Sequence, residues 1–175
     1  RALAFATVAG MTMSRSAKID GFFAAVDAAG LRGSARVLDG GPLNEYGDSL
    51  IAEVGRATAL QIAAAPARPS AIVALNDLMA LGLMAGLREA VLRVPEDVSV
   101  VGIDGHFIAS LSNPMLTTVQ LPIPEMAQAM VERVVHPHAD PDQDPRPVVF
   151  APTQLIERES VATPAAQPVR LTKAG

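Results

Sequence analysis

Two apolar runs decide the fold of this chain: Ala71-Ile-Val-Ala-Leu75 and Val98-Ser-Val-Val-Gly-Ile103. Unbroken apolar runs of this length are typical of strands that are buried on both faces of a sheet. Between them, the segment Leu78 to Ala90 has no proline or β-branched residue, and it follows Asn76 and Asp77, whose side chains favour helix starts. A strand, a helix and a second strand after a short return form a βαβ unit, which predicts parallel strands and a right-handed crossover.

The same alternation extends towards the amino terminus. A strand is predicted at Leu3 to Ala9, and the helix after it has Ile19, Phe22, Phe23 and Val26 on one face and ends at the cap Gly30. A second strand is predicted at Ala35 to Leu38. The next helix runs from about Tyr46 to Ala64, with Leu50, Val54, Ala57 and Gln61 or Ile62 on one face. The order β-α-β-α-β-α-β predicts an α/β fold with a doubly wound parallel sheet and helices on both faces.

The parallel pattern is predicted to stop at Asp104. After it come an extended segment at Leu116 to Leu121, a helix at Ile123 to Val135, and strand-like segments at Val148 to Phe150 and Thr153 to Ile156. A single helix and a short strand after a complete sheet are interpreted as parts of another lobe.

Composition restricts the class of protein. Half of the 175 residues are apolar, but no window approaches 18 uncharged apolar residues, which favours a soluble globular protein over a membrane protein. The absence of cysteine excludes disulfides and thiolate metal sites. A net charge of −4 without runs of Lys or Arg makes these residues themselves poor candidates for binding nucleic-acid phosphates. We interpret the start at Arg1 as that of a fragment, and we expect residues 162–175 to be disordered.

The predicted ligand site lies at the carboxyl ends of the strands, because in an open parallel sheet the loops that leave these ends gather at one edge. These loops carry Ser14, Lys18, Pro42, Asn44, Asn76, Asp77 and the segment Asp104 to Phe107. Lys18 is predicted to lie in the first turn of a helix, where a cation opposes the helix dipole at a cost of a few tenths of a kcal/mol unless a ligand offsets it. The residues therefore favour a polyhydroxylated or anionic small molecule.

The helix Leu78 to Ala90 is apolar on nearly all sides. Residues spaced to pack on the sheet are Met79, Leu83, Leu87 and Ala90, whereas Leu78, Leu81 and Ala85 share the other side with Arg88 and Glu89. Large apolar side chains beside charges indicate that a second protein surface covers them. A homodimer interface at Leu78, Leu81 and Ala85 is one interpretation, and burial by another part of the same chain is the other.

Enzyme and metal functions are less favoured alternatives. Asp77, Asp104 and His106 have acid/base side chains at the predicted edge, but no nucleophile elbow or phosphate-binding loop accompanies them. A group of five potential ligands, His136, His138, Asp140, Asp142 and Asp144, is interleaved with prolines, which favours a solvated loop over a metal site. We therefore expect a non-catalytic protein without a metal or cofactor.

Four motifs resemble the effector-binding region of LacI/GalR-type bacterial transcription regulators. They are Arg68-Pro-Ser-Ala-Ile-Val-Ala-Leu-Asn-Asp-Leu-Met-Ala80, Leu87-Arg-Glu-Ala-Val-Leu-Arg-Val-Pro-Glu-Asp-Val-Ser-Val-Val-Gly-Ile-Asp104, Asn113-Pro-Met-Leu-Thr-Thr-Val119 and Pro152-Thr-Gln-Leu-Ile-Glu-Arg158. The resemblance extends from Arg1 to about Thr163. It implies a two-lobed, periplasmic-binding-protein-like fold with a ligand in the cleft between the lobes, preceded by a helix-turn-helix that binds operator DNA.

The resemblance also implies a division of the chain and a set of ligand contacts. Residues 1–119 match the second lobe, 120–150 a segment that returns to the first lobe, and 151–161 the last strand of the second lobe, while the DNA-binding headpiece and the first half of the first lobe lie outside these residues. Asn76 and Asp104 match positions that bind ligand hydroxyls, and Ser14 matches a loop position near the ligand. Lys18 stands where the family usually has arginine, Gly105 where a second aspartate is common, and Pro42 where an aromatic residue often stacks on a sugar.

The function that the resemblance implies is that of a cytoplasmic transcriptional regulator, most often a repressor. It would bind a sugar or a related metabolite as a homodimer and would contact DNA only through the headpiece. An exported solute-binding protein of a sugar transporter shares the two-lobed fold and is the alternative.

Overall fold

A computed structural model shows the chain as one sheet with helices on both of its faces, and it describes residues 2–10, 12–41, 48–135 and 152–164. The strands are β1 (Leu3–Thr7), β2 (Ala35–Asp39), β3 (Ala71–Ala74), β4 (Ser99–Asp104), β5 (Thr117–Gln120) and β6 (Gln154–Ile156). The helices are α1 (Met13–Ala28), α2 (Asp48–Ala64), α3 (Asp77–Glu89) and α4 (Ile123–Val135), with single 3₁₀ turns at Arg32–Ser34 and Phe107–Ser110.

The strands are arranged in the order β2-β1-β3-β4-β5-β6. Strands β1 to β4 are mutually parallel where they pair, as the alternating pattern predicts. The prediction that the parallel pattern stops at Asp104 is wrong, because β5 pairs parallel to β4 with Asp104 opposite Gln120. Strand β6 pairs antiparallel with β5 and so belongs to the same sheet. Four-residue and three-residue strands are too short to show a period in the sequence, which explains the error.

Alternate side chains of β1 face opposite layers. Ala4 and Ala6 belong to the core that α2 and α3 share with the sheet, whereas the ring of Phe5 lies 5.7 Å from the ring of Phe22 on α1. One helix therefore covers one face of the sheet and two helices cover the other. The predicted doubly wound α/β fold is confirmed.

Glycines bring α2 and α3 into backbone contact. A Cβ atom at Gly82 would overlap the carbonyl oxygen of Ala52, one at Gly86 would overlap that of Arg56, and one at Gly55 would overlap that of Met79. The helices pack this closely because Gly55 on one helix and the glycine pair on the other leave no side chain between them.

The predicted faces of the helices are confirmed for α3 and partly wrong for α2. Met79, Leu83 and Leu87 of α3 are fully buried against the sheet and α2, as predicted. On α2 the buried positions are Gly55, Thr58, Ala59 and Ile62, while Ala57 and Gln61 of the predicted face are exposed. The buried face of α2 is therefore the face on which Gly55 contacts α3, and not the face that carries the largest apolar side chains.

Helix α1 begins before the polar residues Ser14 to Ser16, which the sequence predicted to form a loop. Its N-cap is Thr12, whose hydroxyl accepts a hydrogen bond from the backbone N–H of Arg15. Ser14 therefore lies in the first helical turn rather than in a loop, and Lys18 lies past the first turn rather than within it. The predicted left-handed cap is confirmed, because Gly30 has a φ of 68°.

Asp97 closes the turn between α3 and β4. Its carboxylate accepts hydrogen bonds from the backbone N–H of Arg93 at 2.8 Å and from two guanidinium nitrogens of the same residue at 2.9 Å. The side chain of Asp97 is 7% exposed. These hydrogen bonds from Arg93 hold the pKa of Asp97 below its usual value.

We expect the Asp97→Asn substitution to lower the free energy of unfolding by about 1–3 kcal/mol at neutral pH. A carboxyl whose folded pKa is depressed stabilises the fold above its unfolded pKa of about 3.9, and this contribution disappears as the pH falls through the folded pKa. The difference between the parent and the variant in urea denaturation should therefore shrink between about pH 4 and pH 2. A difference that is constant over this range would contradict the assignment.

Helix α4 lies apart from the sheet core. Its apolar residues Ile123, Met130 and Val134 are all exposed, although they follow the helical spacing predicted for a buried stripe. None of the helices in the described ranges is both long and apolar enough to cross a membrane. The predicted strand-like segment at Val148 to Phe150 and the five histidines and aspartates between 136 and 144 lie outside the described residues.

Candidate functional site

Lys18 and Asp104 meet at the carboxyl edge of the sheet. The Lys18 ammonium donates a hydrogen bond to the backbone oxygen of Leu75 at 3.0 Å and lies 3.5 Å from the Asp104 carboxylate. The two side chains are only 22% and 25% exposed. One contact thus joins three strand exits, since Lys18 follows β1, Leu75 follows β3 and Asp104 ends β4. The edge predicted from the sequence carries an organised polar group.

Asn76 stands beside this group at the exit of β3. It is the N-cap of α3, and its Oδ1 accepts a hydrogen bond from the backbone N–H of Met79 at 2.9 Å. This bond fixes the side chain in place, and within the described ranges no hydrogen bond from its amide NH₂ group is found, so that group can act as a donor to a ligand. Capping and ligand binding are therefore compatible roles for the same residue.

The backbone at Asp104 is strained. Its φ of 114° is one that side-chain-bearing residues rarely adopt, and the following Gly105 has a φ of 76°. A Cβ atom at Gly105 would lie 2.7 Å from Cα of Gln120, so the glycine found where the family often has a second aspartate fits the close approach of β5. Strain of this kind costs about 1–3 kcal/mol and occurs mainly at functional sites.

The structure does not bring the other predicted residues into this group. Ser14 is exposed in the first turn of α1, and no hydrogen bond found in the described ranges joins it to Lys18, Asn76 or Asp104. Pro42 and Asn44 lie outside the described residues. His106 is exposed, and its backbone N–H faces the protein interior, where it donates to Asp77.

Asp77 is fully buried beneath the edge. Its Oδ1 accepts from the Thr118 hydroxyl at 2.5 Å, and its Oδ2 accepts from the His106 backbone N–H at 2.7 Å. Burial raises the pKa of Asp77, and the two hydrogen bonds partly oppose this rise. A carboxylate without access to solvent does not exchange protons readily with a substrate, which weakens the acid/base alternative.

Sequence reasoning missed Thr118 and Arg15 as neighbours of the site. Thr118 is an ordinary strand residue in the sequence, and nothing in the sequence reveals that its hydroxyl faces Asp77 across 41 positions. The Arg15 guanidinium donates through Nη1 to the backbone oxygen of Ala9 at 2.7 Å. The sequence did contain a signal for Arg15, because it is a cation in the predicted loop after β1, and loops at the carboxyl ends of parallel strands are where ligands bind.

An open sheet with cation, carboxylate and amide groups at its carboxyl edge is typical of α/β domains that bind small polar molecules. The chain matches the periplasmic binding protein-like domain family over residues 1–161. It therefore belongs to this family, and the resemblance of its motifs to LacI/GalR-type regulators is confirmed by the relatives that follow.

Three similar proteins illustrate the relationship. The PurR transcriptional repressor of Vibrio atlanticus is 38% identical over 96 residues, which are 55% of this chain and 28% of that protein. The ribose operon repressor of Escherichia coli is 34% identical over 100 residues, which are 57% of this chain and 30% of that protein. The crystal structure of a LacI family transcriptional regulator from Arthrobacter in complex with lactose matches with a TM-score of 0.70 at 25% identity, over 91% of this chain and 57% of that one. This chain thus spans less than two thirds of each.

Proposed function

We propose that this chain is the effector-sensing part of a LacI-type transcriptional repressor, and that it binds a sugar or a related small polar metabolite. The observation that carries the proposal is the contact of Lys18 with both Leu75 and Asp104, which gathers polar groups from three strand exits at one edge. The named relatives are transcriptional repressors, and the matched structure from Arthrobacter holds lactose.

The chemistry of the edge suits hydroxyl groups. The Asp104 carboxylate is an acceptor, while the Asn76 amide and the Lys18 ammonium are donors, so a hydroxyl that both donates and accepts can satisfy them together. The opposite charges of Lys18 and Asp104 compensate each other, which favours a neutral ligand over a strongly anionic one. Asn76, Asp104 and Lys18 are thus the proposed ligand contacts, with Ser14 as an outer position.

The proposed mechanism requires two lobes. In this proposal, residues 1–119 with 151–161 belong to the lobe that carries the site, and 120–150 belong to a second lobe. The apolar residues of α4 that are exposed here would pack against that second lobe. A sugar in the cleft alters the closure of the lobes only if it binds one closure state better than the other. Closure then changes DNA binding by a headpiece that is not part of these residues.

The proposed regulator is a homodimer whose interface includes Leu78, Leu81 and Ala85 of α3. A groove of about 550 Å³ runs along this side of the helix, and its lining includes Leu81, Ala85 and Pro114. Val91 at the rim is 83% exposed with a φ of 59°, a costly conformation for a β-branched residue. Burial of an apolar groove and an exposed valine by a second copy would offset this cost.

We expect the Ala85→Lys substitution to weaken the dimer by about 100-fold or more, because a long cation would enter an apolar groove beside Arg88. The same change at Ala57, which is exposed on α2, is the matched control and should leave the dimer intact. Sedimentation equilibrium of the intact protein measures both. Equal dissociation constants for the two variants would place the interface elsewhere.

Two other functions receive less support. An exported solute-binding protein shares the fold, but the relatives named above are transcriptional regulators. Catalysis is disfavoured because Asp77, one of three acid/base candidates, is sealed from solvent. The proposed regulator therefore acts in the cytoplasm by binding alone.

Melting temperatures of the intact protein with a panel of lactose, ribose and purine nucleosides test the proposal. A specific ligand at about 100 times its dissociation constant should raise the melting temperature by about 5–10 °C. Because concentrated sugars stabilise proteins nonspecifically, the mirror-image sugar L-ribose serves as the control for ribose. A panel in which no compound exceeds its control would contradict the sugar-sensing function.

A further inference from the structure

The loop from Asp104 to His106 is held by side chains that do not themselves reach the ligand edge. The backbone N–H of Gly105 donates to the Thr118 hydroxyl oxygen at 3.3 Å, and the backbone N–H of His106 donates to Asp77 at 2.7 Å. The Thr118 hydroxyl in turn donates to Asp77 at 2.5 Å. Two consecutive amides after the strained Asp104 are thus fixed by one buried pair.

The buried pair is closely packed. Asp77 and Thr118 are both fully buried, and a Cβ atom at Gly102 would overlap the Asp77 carboxylate, so the carboxylate fills the space that the missing side chain leaves. Each oxygen of Asp77 accepts one bond, and the Thr118 hydroxyl donates one bond and accepts one. A carboxylate can accept from both donors at once, because it has an acceptor oxygen on each side, whereas a side-chain amide would turn an NH₂ group towards one of them.

We propose that Asp77 and Thr118 are positioning residues for the effector site, which hold Asp104 in the strained conformation that presents its carboxylate to Lys18 and to a bound sugar. A backbone conformation with a φ of 114° persists only where its surroundings fix it, and these two residues supply the two bonds that immediately follow it. They act through Asp104 and contact no ligand. The inference deepens the proposed function and rests on it for the sugar-binding part.

The test compares two substitutions at Thr118 in the intact protein. Thr118→Val keeps the shape of the side chain but removes the hydroxyl, whereas Thr118→Ser keeps the hydroxyl. Amide hydrogen exchange is followed at Gly105 and His106. The reference is the N–H of Leu92, a buried residue at the opposite edge of the sheet, which donates to the Leu87 oxygen. In Thr118→Val we expect exchange at Gly105 and His106 to accelerate about tenfold or more relative to Leu92, and in Thr118→Ser by less than about threefold.

The ligand arm uses lactose or ribose, whichever raises the melting temperature of the parent protein more. Thr118→Val should weaken binding of that sugar by about tenfold or more, and Thr118→Ser should restore it to within about threefold. In an Asp104→Ala background, Thr118→Val should change the affinity by less than about twofold, because a positioning residue has no effect once the residue that it positions is absent. A merely structural role would weaken binding by the same factor in both backgrounds.

The outcomes separate this inference from the proposed function. If neither sugar binds the parent protein, the sugar-sensing function fails, and the exchange measurement alone decides the positioning role. Equal acceleration at Gly105, His106 and Leu92 in Thr118→Val would overturn the inference, because it would show global destabilisation. Additive effects of Thr118→Val and Asp104→Ala on sugar affinity would overturn it as well.

Discussion

The Asp104→Ala substitution should weaken binding of the selected sugar by about 100-fold or more. A charged acceptor contributes about 1.5–3 kcal/mol for each hydrogen bond, so the loss of two sugar hydroxyl contacts corresponds to this factor or more. Removal of the carboxylate also leaves the Lys18 ammonium without its anionic partner at 3.5 Å. Isothermal titration calorimetry of the intact protein measures the change.

Two further variants make this result specific. Asp104→Asn keeps the shape and tolerates a positive φ, so it should bind about tenfold more tightly than Asp104→Ala while remaining weaker than the parent. Asp27→Ala is the matched control. Asp27 forms an ion pair of similar length, 3.3 Å, with Arg32, and this pair lies at the carboxyl end of α1, away from the proposed site. Affinity of Asp104→Ala within about threefold of Asp27→Ala would remove Asp104 from the site.

The Gly82→Ala substitution should lower the free energy of unfolding by about 3 kcal/mol or more. The added Cβ atom would overlap the carbonyl oxygen of Ala52, which is backbone and does not move without separating α2 from α3. Both helices cover the core that lies under the ligand edge, so the whole layer is affected. Urea denaturation monitored by circular dichroism measures the loss.

Gly21→Ala is the matched control for this prediction. Gly21 lies inside α1, and a Cβ atom there meets nothing within 4 Å. The same chemical change should therefore stabilise the protein by about 0.5–1 kcal/mol through the higher helix propensity of alanine. If the two variants changed stability by the same amount and sign, the close contact between α2 and α3 would be refuted.

The parallel core of the fold was predictable because its signals are local. Each element of the βαβ unit has its own signal in the sequence: an apolar run at Ala71 to Leu75, a helix cap at Asn76 and a second apolar run that ends at Ile103. The preference for right-handed crossovers between parallel strands then predicts how the elements connect. Strand β5 was misread because its partner, β4, lies across a 3₁₀ turn and its four residues carry no period. The buried face of α2 was misread because it is set by a glycine at 55, which hydrophobicity patterns do not weight.

The candidate site was predictable in part for a similar reason. The rule that strand exits gather at one edge placed Lys18, Asn76 and Asp104 together without knowledge of their distances. The positions of Thr118 and Asp77 depend on the register between β4 and β5, which no local pattern encodes. A buried carboxylate that accepts two bonds is therefore visible only in three dimensions, whereas its neighbour Asn76 is visible as a helix cap.

The position of the ligand site can be located by titrating the isotope-labelled intact protein with the selected sugar and following its amide chemical shifts. We expect the largest shifts at Lys18, Asn76 and Asp104 to His106, at the carboxyl ends of three different strands. Shifts confined to the opposite edge of the sheet, near Gly30 and Leu92, or to the groove beside α3 would contradict the proposed site.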